Sequence, residues 1–413
     1  MPPTMEALFA ERTKWMKASD VRELLKYATD PKIISFGGGL PSPDSFPLKD
    51  LKVIFDELLH EETAAAFQYG LTQGDPKLRT ALAARMGARG IEALADRTIV
   101  THGSQQAIEL MGRVLVEPGD VVITEEPTYL GIFTALATYR PTYHGVPIDS
   151  EGLLTDVLEE DLQEMSDQGI RPKFIYVVPT FQNPAGTTMS QRRRWALVDL
   201  AAAYGVPIVE DDPYYDLRFE GEAEAPLASY DEEGWVVYLG SFSKVLAPGF
   251  RIGWAHGAPD LVNKMSLAKQ GVDVFTNAFG QRVAERYLTL GMLDEHLPRI
   301  RALYGRKRDI MMAAMEEQFP DGVEWTRPQG GMFLWVSVRP GLDTRDLLPK
   351  AAERGVIYVP GHGFFPGTPK VNHMRLNFSF PGEGEIRRGI RILGSVLADE
   401  GRPRKGPLAV ARG

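Results

Sequence analysis

Trp235-Val236-Val237-Tyr238-Leu239-Gly240-Ser241-Phe242-Ser243-Lys244-Val245-Leu246-Ala247-Pro248-Gly249-Phe250-Arg251-Ile252-Gly253 joins an apolar run to a polar loop. The run 235–239 is rich in β-branched and aromatic residues, which suits a buried strand. After it come two hydroxyls, a lysine and an arginine beside a turn at Pro248 and Gly249. A lysine amine attacks an aldehyde to form an imine only where a desolvated or cationic setting lowers its pKa. Hydroxyls with an arginine suit a phosphate dianion. The alternative is a solvated loop with an ordinary surface lysine, which a lone Ser-x-x-Lys would favour.

The same texture extends outward, from about Phe67 to Gly257. Residues 98–100, 121–124, 174–178, 207–209 and 252–255 read as further buried strands. Between them, 104–116 repeats apolar residues at a helical period, and 191–204 reads as a helix capped by Ser190 and ended by Gly205. Alternating strands and helices predict an α/β fold, with a mostly parallel sheet between helices. Ligands of such sheets bind beyond the carboxyl ends of the strands. After about Leu290 come a long helix over 299–318, shorter strands at 332–338, 356–359 and 374–378, and a helix from about Glu383. The expected organisation is an N-terminal segment (1–46) packed on the small domain and the ligand site, a large domain (47–290) and a smaller α+β domain (291–413).

The net charge of −9 argues against a general nucleic-acid or anionic-membrane surface, though a local arginine cluster can still hold a small anion. With no cysteine the chain has no disulfide, thiolate nucleophile or thiolate-bound zinc. Charges recur every few residues over 1–17, and no apolar stretch has a membrane helix's length, so a soluble cytoplasmic protein is expected.

Further polar clusters follow the other strands. Glu210-Asp211-Asp212-Pro213-Tyr214-Tyr215 after 207–209 is a metal site, a polar strand end or a ligand-binding acid. Asn183-Pro184-Ala185-Gly186 after 174–178 is, as composition, a turn. Thr101-His102-Gly103-Ser104-Gln105 opens a helix, where backbone amides bind phosphate. Glu126-Pro127-Thr128-Tyr129 places an aromatic after 121–124, equally readable as a core tyrosine. Arg375 sits inside the apolar stretch His373–Phe378, and a charge there requires a partner, either a structural carboxylate or a ligand.

In this order the motifs resemble those of class I/II aminotransferases of fold type I, which use pyridoxal 5′-phosphate (PLP). They are most similar to the branch holding 2-aminoadipate, kynurenine and aromatic aminotransferases. The resemblance runs from Ser19 to about Phe380 and implies a role for each residue. Lys244 carries the cofactor as an imine. Ser241, Ser243, Arg251, Gly103, Ser104 and Gln105 bind its phosphate. Asp211 pairs with the ring nitrogen, Asn183 and Tyr214 meet the phenolate oxygen, and Tyr129 stacks on the ring. Arg375 forks the substrate carboxylate, with Asn183 and Gly39 beside it, and Arg22 meets a side-chain carboxylate or is a helix-surface arginine. Tyr69 reaches the phosphate of a neighbouring subunit, so a homodimer with shared sites is implied. The implied activity moves an amino group from an aromatic or 2-aminoadipate-type L-amino acid to a 2-oxo acid, with 2-oxoglutarate as the expected acceptor. A β-lyase, a decarboxylase or a cyclopropane-forming synthase of the same fold is the alternative. A PLP-sensing transcription regulator needs a DNA-binding module, and about 18 residues before Ser19 are too few for one.

Overall fold

The computed structural model describes residues 4–16, 32–61 and 63–400. Arg22 lies outside these residues. The strands in chain order are β1 (Ile34–Ser35), β2 (Thr98–Thr101), β3 (Val121–Glu126), β4 (Thr142–Asp149), β5 (Gly152–Leu153), β6 (Phe174–Val177) and β7 (Ile208–Asp211). They continue as β8 (Val236–Ser241), β9 (Gly253–His256), β10 (Glu324–Trp325), β11 (Phe333–Ser337), β12 (Val356–Ile357), β13 (Val359–Pro360) and β14 (His373–Asn377).

Eight of them form one sheet in the order β2-β9-β8-β7-β6-β3-β4-β5. The run from β8 to β4 is parallel, and β9 lies antiparallel between β8 and β2. Each central strand feeds both faces: Phe174 and Tyr176 join the core that includes the helix Ser104–Leu115, while Ile175 and Val177 join the core under Gln191–Tyr204. Burial on both faces is why these strands read as unbroken apolar runs. Because β9 runs backwards, its first residues lie at the carboxyl ends of its parallel neighbours. That brings Arg251 beside Ser241 and Gly103.

A second, antiparallel sheet has the order β10-β11-β14-β13, and β1 pairs with β12. Three sequence expectations need correction. The long helix spans Met292–Gln318, starting after the left-handed Gly291 and running through Pro298, which omits one backbone bond without ending the helix. The strand expected over 356–359 is two strands that leave Tyr358 between different partners, its hydroxyl donating to Thr344 O at 2.7 Å. Ser190 does precede Gln191–Tyr204 and Gly205 ends it at φ 63°, but the Ser190 hydroxyl makes no capping bond.

Candidate active site

Strand ends converge on one cavity of about 690 Å³. Gly39, Gly103, Ser104, Gln105, Tyr129, Asn183, Asp211, Tyr214, Ser241, Ser243, Lys244, Arg251 and Arg375 all line it. Tyr69 does not: it is 81% exposed and packs edge-on against Phe275.

One end of the cavity is built for an anion. The helix Ser104–Leu115 opens there after Gly103, whose φ of 75° a side chain resists. A Cβ at Gly103 would stand 2.7 Å from Arg251 Nη2, so the glycine lets the guanidinium close over the helix N-terminus. Arg251 itself is left-handed, at φ 56°, and donates from Nη2 to His102 O at 3.1 Å. The Ser241 hydroxyl donates to Ser243 Oγ at 3.0 Å. Helix-terminal amides, a guanidinium and two hydroxyls together suit a phosphate. The Gln105 side chain is already engaged, donating to Gly131 O at 2.9 Å and accepting from Tyr129 OH at 3.2 Å, which leaves its backbone for such an anion.

At the floor, Asp211 ends β7 fully enclosed. Tyr176 OH donates to its Oδ2 at 2.7 Å, and Oδ1 has no hydrogen-bond partner. Burial, helped by the Asp212 charge, pushes the Asp211 pKa up to about 6, against the Tyr176 and Ser104 hydroxyls and the Lys244 charge, so the carboxylate is mostly ionised at neutral pH. Lys244 Nζ donates to Gly39 O at 2.9 Å. Burial, with the Arg375 and Arg251 charges, brings its pKa down to about 8 while Asp211 opposes. An appreciable fraction of the amine is therefore neutral just above pH 7, as a nucleophile requires.

Arg375 is 2% exposed on β14. Nη1 donates to Asn183 Oδ1 at 2.8 Å and Nη2 to Gly37 O at 2.9 Å, while Nε is unpartnered. The guanidinium lies 4.2 Å from the Phe333 ring centre, and no carboxylate of the described residues pairs with it. Asn183 Nδ2 in turn donates to Tyr214 OH at 3.3 Å, linking the three side chains.

Three contributors escape the sequence. Tyr176 reads as one more strand residue, and Phe333 as core. Arg194, fully buried, donates from Nε to Met189 O and from Nη2 to Pro179 O, both at 2.9 Å, and so grips both ends of the loop presenting Asn183. Its only sequence signal is the run of three arginines at the start of a helix.

The family model for aminotransferase class I and II matches residues 31–393. The chain belongs to that family. It is 47% identical over 401 residues to aromatic-amino-acid aminotransferase 1 of Thermococcus litoralis, covering 96% of each chain. A solved structure of Pyrococcus horikoshii kynurenine aminotransferase, in complex with PMP, KYN as substrates and KYA as products, superposes with a TM-score of 0.93 at 46% identity, covering 96% of this chain and 98% of that one. The alpha-aminoadipate aminotransferase of Thermus thermophilus, complexed with N-(5′-phosphopyridoxyl)-L-leucine, does so with a TM-score of 0.89 at 35% identity, covering 96% and 99%. The family's cofactor is PLP, and this cavity fits it: an anion cup at one end, an unshared Asp211 oxygen on the floor, and an amine of lowered pKa between them. Among the described residues no helix is long and apolar enough to cross a membrane, and no cluster of three metal-ligating side chains occurs.

Proposed function

We propose that this aminotransferase takes an aromatic or 2-aminoadipate-type L-amino acid as donor and 2-oxoglutarate as acceptor, in two ping-pong half-reactions. The observation that carries the reading is Arg375: a buried guanidinium without a carboxylate partner among the described residues, in one cavity with a partly neutral lysine. A buried charge with no partner is costly, and a substrate carboxylate held bidentately would supply one. That favours a substrate that keeps its carboxylate over a decarboxylation.

Bound PLP supplies an electron-withdrawing ring that acidifies the substrate Cα–H. Asp211 would keep the ring nitrogen protonated. Asn183 and Tyr214 would donate at the phenolate oxygen, Tyr129 would cover the ring, and Ser241, Ser243, Arg251 and the amides at Gly103, Ser104 and Gln105 would hold the phosphate. Gly39 leaves room for the substrate beside Arg375. Lys244 Nζ would carry the proton: as neutral amine it takes the one on Cα, and once charged it gives it up at the cofactor's C4′ carbon rather than back to Cα.

The working form we propose is a homodimer in the cytoplasm. Tyr69 stands exposed beside Phe67 and Leu71, which are 62% and 59% exposed, on an open groove away from its own site. A second copy would cover these side chains and place Tyr69 at its phosphate cup.

A panel of L-amino donors assayed against 2-oxoglutarate, repeated with Arg22→Ala, tests the substrate assignment. Aromatic donors and 2-aminoadipate should lead for the native enzyme. Arg22→Ala should lower kcat/KM for 2-aminoadipate about tenfold or more, as loss of one ionic hydrogen bond would, and spare aromatic donors. An unchanged donor profile removes Arg22 from the site, and a panel led by small aliphatic donors overturns the substrate class.

A further inference from the structure

We infer that Tyr176 is a positioning residue for the cofactor ring, acting through Asp211. The two side chains come from neighbouring parallel strands, with Tyr176 opposite Val209 in the β6–β7 register and Asp211 two residues further on. Two residues is one full side-chain repeat, so both point to the same face of the sheet. Tyr176 is fully buried, and its hydroxyl reaches Asp211 Oδ2 at 2.7 Å.

That geometry fixes the direction of the bond. An ionised carboxylate only accepts, so the tyrosine must donate. A hydroxyl bonded to a carboxylate is a strong, short contact in a buried setting. It occupies Oδ2 and leaves Oδ1 of a carboxylate that lines the cavity, with the Ser104 hydroxyl beside it. Tyr176 therefore does two things at once. It holds the carboxylate in the rotamer that presents Oδ1, and it stabilises the ionised form that the surrounding apolar core disfavours.

The consequence concerns where a proton sits. Between a carboxylate and a pyridine nitrogen, the proton stays on the ring only while the carboxylate is the weaker base. The donor bond from Tyr176 weakens Asp211 as a base, and so keeps the positive charge on the ring. Without the hydroxyl, Asp211 becomes more basic and freer to rotate. The ring then loses charge and the cofactor is held less firmly.

This inference rests on the ring orientation proposed above, and its test separates the two. PLP dissociation constants would be measured for the native chain, Tyr176→Phe, Asp211→Asn and the double variant, alongside the NMR shift of the ring nitrogen in holoenzyme loaded with ¹⁵N-labelled PLP. Tyr176→Phe should weaken PLP binding about tenfold, the size of one charge-assisted hydrogen bond. In the Asp211→Asn background the same change should cost less than about twofold, because residues acting as a unit do not add. The ring-nitrogen signal should move toward neutral pyridine in Tyr176→Phe and the opposite way with 3-fluorotyrosine at position 176, which keeps the shape and strengthens the donor. Losses that multiply in the double variant, or a ring-nitrogen signal unmoved by either change at position 176, overturn the role of Tyr176. If Asp211→Asn itself moves neither affinity nor signal, the ring orientation fails and Tyr176 with it.

Discussion

Lys244→Ala is expected to abolish amino transfer, lowering kcat by roughly 10⁴-fold or more while leaving the fold intact. The cavity of the described residues has no second lysine, so nothing else there can form the imine or carry the Cα proton. His102 lies at the cavity edge, but its ring is paired with Asp273 at 3.2 Å and burial lowers its pKa. The loss should show in kcat, with PLP still entering the anion cup noncovalently. Stability should change by no more than about 1 kcal/mol, because the side chain makes a single hydrogen bond and its charge is disfavoured by burial. Steady-state assays, thermal melts and mass spectrometry after borohydride reduction check the three parts. Borohydride should add the cofactor's mass to the native chain and none to the variant.

Arg375→Ala is expected to lower kcat/KM for amino acids by about 30- to 5,000-fold, from the 2–5 kcal/mol typical of truncating one partner of a buried charge pair. The change also strips Asn183 Oδ1 and Gly37 O of their donor, so part of the loss comes from a looser Asn183. Arg375→Lys should recover only a little, since an ammonium cannot fork a carboxylate. A primary amine without a carboxylate separates recognition from general damage. Its slow turnover should be nearly unaffected by Arg375→Ala if the guanidinium serves the carboxylate. An equal loss for amine and amino acid would instead make Arg375 a structural residue.

Much of this site is legible along the chain because the central strands are buried on both faces. Each is an apolar run that stops abruptly at polar residues, so Asp211, Ser241, Asn183 and Gly103 stand out at predictable ends. Other features depend on pairing. β4 mixes polar and apolar residues and is mostly half-exposed, so only its register on β3 makes it a strand. The proposed phosphate cup would use backbone amides, so the sequence can name Gln105 but not that its side chain is spoken for. Tyr176 is invisible for the same reason: a tyrosine in an apolar strand is ordinary until the neighbouring strand puts a carboxylate 2.7 Å from its hydroxyl. Arg375 was the opposite case. A charge amid apolar strand residues demanded a partner, and the fold supplies a carbonyl, an amide and an aromatic face but no carboxylate among the described residues.

The most direct test is a single half-reaction: holoenzyme mixed with an aromatic L-amino acid and no acceptor. One equivalent of 2-oxo acid should appear per chain and the reaction should then stop, with the amino group kept by the enzyme. Adding 2-oxoglutarate should restart it and release glutamate in equal amount. Continuous turnover without an acceptor, with ammonia or CO₂ released, would contradict the account.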